Sequence, residues 1–435
     1  MPDSFPRRTL RGHQTVTLGL LFAAGVVNFL DRSSLSIANT TVRAEMHLNA
    51  TQMGWLLSAF SLAYGCAQLP LIGLLDRKGT RAVLGAGLTV WSIAQLLTGL
   101  VRGMPMFLAL RVLLGVGEAP FYPSGVRSTR EWFSAATRGR ATAVMNSSQA
   151  IGLAVAPPAL TFLMLTMGWR AMFMALGLAG LGVAAVWIWL HRARRDTPFR
   201  VAEAQSGVAL ETAWKALIRQ RTVWGMMIGW SGVNYTVWLY LAWLPGYLQE
   251  QRHLSLAKSG WVAALPFLAG ALGMFSSGFL TDRLVRAGFK LTSIHRANLV
   301  AGMVVSALST FLVARSDSTA AAVAGISGAL FCIHFAGTSG WGYVQAVSPL
   351  RYVASLGALQ NFASFLIASA APVVTGWLLD RTHSFTLALG VCSCVTLVGA
   401  LSYATLAGPG GMNLNEDGVE SQLPTTVILA KPESQ

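Results

Sequence analysis

The sequence predicts an all-α membrane protein in which twelve transmembrane helices form two six-helix halves, with both termini in the cytoplasm. Three observations lead to this fold class: a shortage of charge, a one-sided distribution of lysine and arginine, and an internal repeat. Of the 435 residues, 54% are hydrophobic and only 11% are charged, whereas a soluble domain carries about 25% charged residues. A chain with so few charges cannot cover a surface that faces water.

Apolar runs long enough to cross a bilayer, about 20 residues each, recur from near Thr15 to near Leu406. Lipid offers no hydrogen bonds to the backbone, so a spanning segment must be a helix or a strand of a closed barrel. Barrel strands would alternate apolar and polar residues, which favours helices here. We count about twelve runs, centred near positions 27, 64, 91, 115, 153, 180, 236, 269, 305, 329, 366 and 396.

Lysine and arginine lie mainly on one side of the predicted membrane. With the N-terminus inside, the inner joints and tails hold 23 of these residues and the outer joints hold seven. By the positive-inside rule this excess places both termini in the cytoplasm. The net charge of +15 is therefore a signal of topology. We expect a multi-pass protein of the inner membrane that contacts the lipid bilayer and no nucleic acid.

The longest and most basic joint divides the chain, because six spans precede residue 191 and six follow about residue 222. We predict an N-terminal half over residues 1–190, a basic cytoplasmic linker over 191–222, a C-terminal half over 223–407 and a disordered cytoplasmic tail over 408–435. One chain then contains both halves, so a monomer would suffice. Two such halves can rock against each other around a site at the midplane.

A charged motif recurs in the two halves. The stretch Gly73–Arg81 follows the second span, and the related stretch Gly278–Arg283 follows the eighth, about 205 residues later. An acid at a cytoplasmic helix end can pair with basic groups in one conformation and release them in another, whereas the basic residues alone would only orient the loop. We expect a gating role for Asp76, Arg77, Arg81, Asp282 and Arg283.

Two acids and two bases, namely Asp31, Arg32, Arg111 and Glu118, fall inside predicted spans. A charged side chain there costs about 2.5–3.5 kcal/mol on insertion scales. Arg111 and Glu118 are nearly two helical turns apart, so they face the same way about 10 Å from each other. The four residues could form neutral pairs that only hold helices together. Alternatively, the acids bind protons and an arginine holds a substrate carboxylate with two hydrogen bonds.

Motifs of other protein classes are missing from the sequence. It has no His-Glu-x-x-His metal motif and no Gly-x-x-x-x-Gly-Lys-Ser/Thr phosphate loop, and no nucleophile and base stand in register. We therefore expect no enzyme activity, no catalytic residues, no ATP-driven pumping, no metal site and no cofactor.

Specific motifs resemble those of known transporters. The Gly73–Arg81 stretch resembles the loop motif of the major facilitator superfamily. The segments Asn28–Arg32 and Arg111–Pro123 resemble the anion:cation symporter family, in particular bacterial D-galactonate and hexuronate carriers, and this similarity extends over nearly all of residues 16–405. The resemblance implies the major facilitator fold and proton-coupled transport of a sugar acid.

The same resemblance implies roles for individual residues. Asp31 and Glu118 match the protonatable acids, Arg111 matches the arginine that holds the second acid, and Arg32 matches a substrate-facing arginine. Phe29 departs from the tyrosine usual at its position, which removes a hydroxyl group. Further matches to substrate-binding residues are Tyr64, Gln149, Trp341 and Asn361.

Spacing alone supports part of this substrate site. Gln149 and Asn361 occupy corresponding positions in the two halves. In the tenth span, His334, Thr338 and Trp341 recur at helical spacing and give one polar and aromatic face. A sugar acid needs such a surface for its hydroxyls and C–H faces. For His334, a packed and hydrogen-bonded histidine is the simpler interpretation.

We therefore expect proton-coupled uptake of a small organic anion by alternating access, with an aldonate, hexuronate or aldarate as substrate and protons as the second partner. Tartrate-like or aromatic carboxylates such as phthalate are the alternative, which Phe29 would tolerate. A more remote alternative is a sensor of the same fold that binds a ligand without transporting it.

Overall fold

The computed structural model describes residues 7–191, 217–349 and 352–408, and every regular element in these ranges is helical. Most of the linker and nearly all of the tail predicted above lie outside the described residues. The helices are α1 (Arg7–Glu45), α2 (Ala50–Thr98), α3 (Met104–Glu118), α4 (Phe121–Trp132), α5 (Ala135–Leu190), α6 (Arg221–Glu250), α7 (Leu256–Arg286), α8 (Leu291–Arg315), α9 (Thr319–Val347), α10 (Val353–Ala368), α11 (Ala370–Thr382) and α12 (Thr386–Thr405).

Two of these helices are far longer than a bilayer requires. Helices α2 and α5 have 49 and 56 residues, whereas about 20 residues are enough to cross the hydrocarbon core. Each is interrupted at one glycine, Gly79 with φ of 75° and Gly168 with φ of 79°. Only glycine adopts such positive φ angles without strain. Each helix therefore consists of two spanning-length segments joined by a sharp turn.

Apolar composition along these helices agrees with a membrane environment. Within the described ranges, nine helical stretches are long and apolar enough to cross a membrane. The pairs α3 with α4 and α10 with α11 each form one such stretch, Met104–Trp132 and Ser355–Thr382. The expectation of an all-helical membrane protein is confirmed.

The helices pack as an N-terminal set, α1 to α5, and a C-terminal set, α6 to α12. In the first set α1 lies against α5, and α2 lies against α3 and α5; in the second, α8 packs on α9 and α12. Small residues permit neighbouring helices to approach each other closely. At Gly117 of α3, for example, the Cβ atom of any other residue would lie only 2.7 Å from the backbone nitrogen of Trp91 in α2. Such close contacts drive helix association where water does not.

Side-chain hydrogen bonds join the two sets near the turn between α1 and α2. Arg43 pairs with Glu250 at 2.5 Å, and Thr40 donates to Gln249 at 2.7 Å. Among the described residues, the bond of this kind farthest from that turn connects Gln68 and Asn361. The two sets are therefore closed against each other from the α1–α2 turn to about the middle of the molecule. We refer to that side as the closed side.

Asp380 of α11 completes this closure. Its carboxylate accepts hydrogen bonds from the backbone nitrogens of Ala50 at 2.9 Å and Thr51 at 2.8 Å, and from the Thr51 hydroxyl at 2.5 Å. These donors belong to the first turn of α2, where backbone N–H groups have no partner within the helix and the helix dipole favours negative charge. Asp380 of the second set thus caps a helix of the first set.

Candidate functional site

A buried ion pair lies between α1 and α3. Arg32 Nε donates to Glu118 Oε2 at 2.8 Å, and the residues are 8% and 0% exposed. Arg32 is 13 residues from the closed-side end of α1, and Glu118 is 14 residues from the start of α3. At 1.5 Å per residue both lie about 20 Å from that surface, and Glu118 is about halfway along the apolar stretch Met104–Trp132.

Aromatic rings surround the guanidinium of Arg32. Its central carbon lies 4.6 Å from the ring centroid of Tyr64, 5.1 Å from that of Phe29 and 5.4 Å from that of Phe60. A cation over an aromatic face is attracted by the ring quadrupole, the more so without water. One donor atom, Arg32 Nη2, is buried with no partner in the described part of the chain. The arginine is therefore held in place with a donor still available for an anion.

Asp31 and Arg111 are buried but not paired directly with each other. Asp31 is fully buried, and neither carboxylate oxygen has a hydrogen-bond partner among the described residues. Arg111 Nε donates to the carbonyl of Leu56 at 3.2 Å, and its guanidinium carbon lies 5.0 Å from the ring centroid of Phe60. Phe60 thus contacts both buried arginines.

The partner of Glu118 differs from the one the resemblance implied. We expected Arg111 to hold this acid, but in the structure Glu118 bonds to Arg32. The spacing along α3 places Arg111 on the same face, yet two helical turns separate it from Glu118, whereas Arg32 on the neighbouring helix lies at the same depth. The packing of α1 on α3 therefore decides the pairing.

A layer of polar side chains lies one to two helical turns farther from the closed side than Arg32. Here Tyr122 of α4 donates to Gln149 Oε1 at 2.8 Å, and Asn361 of α10 donates to Gln68 Oε1 of α2 at 2.8 Å. All four side chains are only partly buried. We call these residues the amide layer. It combines donors and acceptors from both helix sets.

Thr338 and Trp341 of α9 have substantial exposure, and Trp341 is 45% exposed. Trp341 stands edge-to-face against Trp230 of α6, with ring centroids 5.9 Å apart. His334 Nδ1 lies 2.9 Å from the carbonyl of Leu330, which fits a packed histidine. The described contacts join Thr338 to His334 and do not bring either α9 residue to Arg32.

The residues expected to form a gate have separate surroundings. Arg81 Nε donates to the carbonyl of Ile188 at 3.0 Å and so holds the end of α5. Arg77, Asp282 and Arg283 are exposed. The side chain of Asp76 lies outside the described residues, so its gating role stays a prediction.

Sequence reasoning missed Phe60, Gln68, Tyr122 and Asp380. Gln68 follows Tyr64 by four residues in α2 and so shares its helix face, which is a signal that the sequence offered. Tyr122 lies just after the break between α3 and α4, and Asp380 stands beside the basic residue of an outer joint. Their partners come from distant segments, 27 and about 330 residues away. No local pattern indicates such partners.

The fold and its buried ionic site define a multi-pass transporter of the inner membrane. A model of the Major Facilitator Superfamily matches residues 21–372, and the chain belongs to this superfamily of membrane transporters, not to a family of enzymes. It is 47% identical over 417 residues to the "Probable L-galactonate transporter" of Escherichia coli (strain K12), and the matched region covers 93% of this chain and 92% of the relative.

Two further comparisons agree with this membership. The chain is 31% identical to the probable galactarate/D-glucarate transporter of the same strain, over 89% of this chain and 93% of the relative. A solved bacterial homologue of the human lysosomal transporter Spinster, in an inward-facing and occupied conformation, shares the fold with a TM-score of 0.74 at 16% identity, over 91% of this chain and 97% of that chain. The expected resemblance to sugar-acid carriers of the major facilitator superfamily is confirmed.

Proposed function

We propose that the protein takes up a sugar acid together with protons by alternating access. The observation that carries this proposal is the buried bond between Arg32 and Glu118. The names of the two relatives, transporters of L-galactonate and of galactarate or glucarate, support a sugar acid as the substrate class.

Coupling follows from competition for one guanidinium. Arg32 holds Glu118 while that carboxylate is charged, and a substrate carboxylate needs the same cation for a two-bonded contact. A proton on Glu118 removes the competing charge, so Arg32 becomes free to bind the substrate through Nε and the unpartnered Nη2. Substrate binding and protonation of Glu118 then favour each other, and this mutual dependence is what symport requires.

Asp31 has a second role in this scheme. An ionised carboxylate buried without a partner is costly, and its two oxygens have none among the described residues. We infer that Asp31 holds a proton in this conformation and that Arg111 moves close to it, as a charge partner, when the helices shift. Asp31, Glu118 and Arg111 thus form the proton-coupling set.

The substrate is an acid with one carboxylate. Arg32 and Arg111 each keep one donor atom without a partner among the described residues. Arg32 is 8% exposed, however, whereas Arg111 is bonded to a backbone carbonyl and only 2% exposed, so Arg32 is the cation that a substrate can reach. A second carboxylate on the substrate would lack a matching cation. An aldonate such as L-galactonate is therefore favoured over an aldarate, a tartrate-like acid or phthalate. Tyr64, Gln149, Asn361, Thr338 and Trp341 form the remaining walls of the site.

The topology belongs to the same proposal. Counting α2 and α5 as two spans each, and α3–α4 and α10–α11 as one span each, gives twelve spans in two halves. The excess of lysine and arginine then places both termini in the cytoplasm, so the closed side faces outward and the structure is open to the cytoplasm. Residues 1–190 and 223–407 form the halves, the motifs at Asp76 and Asp282 act in gating on the inner side, and a monomer suffices.

Uptake into proteoliposomes tests this function. With the outside acidified, radiolabelled L-galactonate is expected to accumulate above its external concentration, and dissipating the pH gradient should remove the accumulation. Unlabelled D-galactonate, galactarate, tartrate and phthalate compete in the same assay and rank the substrates. Binding of galactonate without any accumulation would support a sensor and contradict transport. Equal accumulation with and without the pH gradient would contradict proton coupling.

A further inference from the structure

One hydrogen bond of the amide layer joins the two halves inside the candidate site. Asn361 Nδ2 of α10 donates to Gln68 Oε1 of α2 at 2.8 Å, across 293 residues of sequence. Both side chains are partly exposed, unlike the fully buried core amides Gln95 and Gln360. The pair is therefore within reach of a solute that enters the site.

This bond leaves complementary atoms on each amide. Gln68 Nε2 keeps both N–H donors, and Asn361 Oδ1 keeps its lone pairs, since neither atom has a protein partner in the described part of the chain. A hydroxyl group is both a donor and an acceptor. Two neighbouring hydroxyls of a polyol can thus accept from Gln68 and donate to Asn361 at the same time.

The position of Gln68 along α2 determines how long a substrate must be to reach from Arg32 to the amide pair. Tyr64, whose ring lies against Arg32, is one helical turn before Gln68 on the same face of α2, and four residues of helix rise about 6 Å. Carbon–carbon bonds are about 1.5 Å long, so an extended chain of six carbons also measures about 6 Å. A three-carbon acid held at Arg32 would end well short of the amide pair.

We propose that Gln68, together with Asn361, binds the distal hydroxyls of the substrate and makes the transporter selective for a six-carbon monocarboxylate. This inference rests on the proposed function. The amides are neutral and match hydroxyl groups better than a second carboxylate, which would be left without a cation. The substrate then contacts both halves, with its carboxylate on the first half and its distal hydroxyls on the joint between them.

The test compares affinities for a long and a short acid. Equilibrium binding of L-galactonate, with six carbons, and of D-glycerate, with three, is measured on detergent-solubilised protein. Wild type is expected to bind galactonate at least tenfold more tightly. In Gln68→Leu the galactonate affinity should fall about tenfold, the effect of losing one or two neutral hydrogen bonds, while the glycerate affinity stays within twofold, so that the ratio approaches one.

A matched variant separates recognition from structural support. Gln249→Leu removes another glutamine that accepts a hydrogen bond across the halves, from Thr40 near the closed surface, and it should leave the ratio of the two affinities unchanged. Asn361→Leu should lower the ratio as Gln68→Leu does, which keeps the test valid if one of the variants does not fold. Size-exclusion profiles identify folded protein.

The outcomes distinguish the two proposals. If wild type accumulates galactonate but Gln68→Leu weakens both acids equally, the amide pair only supports the structure and this inference is wrong. If wild type binds glycerate as tightly as galactonate, the inference is also wrong. Failure of wild type to bind any sugar acid overturns the proposed function, and this inference with it.

Discussion

Arg32 combines a hydrogen bond to Glu118 with contacts to aromatic rings, and it does so with paired donors that a lysine lacks. Its planar guanidinium donates to Glu118 through Nε while lying near the rings of Tyr64 and Phe29. A lysine ammonium is a compact charge without the paired donors that match a carboxylate. The geometry around Arg32, and not only its charge, is therefore expected to determine affinity.

Replacing Arg32 with lysine tests this expectation. Arg32→Lys should weaken galactonate binding at least tenfold, because the two-bonded contact with the carboxylate is lost although the charge remains. Isothermal titration calorimetry on purified protein provides the measurement. Arg170→Lys is the matched control, since Arg170 also pairs with a glutamate, Glu45, and lies 4.1 Å above a tryptophan ring, yet stands at the closed surface. Equal losses in both variants would contradict a specific role.

Replacing Glu118 with glutamine tests the coupling. Glu118→Gln resembles the protonated acid in shape and releases Arg32, so binding and exchange of substrate should survive while accumulation driven by a pH gradient is lost. Both are measured on the same proteoliposomes. Glu45→Gln, which alters a partly exposed acid outside the site, should accumulate substrate normally. If Glu118→Gln still concentrates galactonate, Asp31 alone carries the coupling.

The burial of Asp31, Arg32, Arg111 and Glu118 could be predicted, because charges inside apolar spans stand out whatever the fold. The buried pair of Arg127 and Glu131 in α4 was missed. The sequence also did not identify which arginine holds Glu118. That pairing depends on how α1 and α3 are rotated and placed side by side, and such information is absent from spacing within one helix. Gln68 was missed for a related reason, since its partner belongs to the other half of the molecule.

At the scale of elements, Asp380 of α11 caps the first turn of α2, so the closed arrangement of the two halves also stabilises the end of this helix. The first turn of α2 already has an internal cap, since Asn49 accepts from the backbone nitrogen of Gln52 at 2.8 Å. Asp380 satisfies two further backbone donors. When the halves separate on this side, those donors must find water instead.

Removing the charge of Asp380 should therefore favour opening of the closed side. Asp380→Asn retains one acceptor oxygen but loses the charge that interacts with the helix dipole, a loss of about 1 kcal/mol, which is roughly a fivefold change in the equilibrium between conformations. Distances between spin labels on the ends of α2 and α11 report this shift. Asp317→Asn, in the exposed turn between α8 and α9, serves as the control and should change nothing. An unchanged distance distribution in Asp380→Asn would show that the charge of Asp380 does not hold the closed side together.

At the scale of the whole molecule, the proposed twelve-span topology would place two exposed lysines on opposite sides of the membrane. Lys258 lies at the start of α7 and Lys290 immediately before α8. On a cysteine-free background, Lys258→Cys should react with an impermeant maleimide added outside intact cells. Lys290→Cys should react only in inside-out vesicles. Reaction of both from the same side would contradict the count of spans or the orientation.

Composition and charge distribution were enough to predict the helical membrane fold, since lipid permits few alternatives to a helix. The breaks at Gly79 and Gly168 mark where one continuous helix contains two spans, and the basic stretch after Asp76 indicated the first of them. The sequence could not predict on which side of the molecule the two halves are closed against each other. This closure depends on contacts between the halves, such as Arg43 with Glu250, whose residues are 207 positions apart in the sequence.

The bond between Arg32 and Glu118 also has a consequence for synthesis of the protein. The two residues are 86 positions apart, and ribosomes add about 5–20 residues per second, so α1 waits about 4–17 s before α3 emerges. During that time Arg32 stands in the middle of a nascent span without its final partner, where a charge costs about 2.5–3.5 kcal/mol. The first helix is therefore expected to remain beside the translocation channel, and to leave it for lipid only after α3 has arrived.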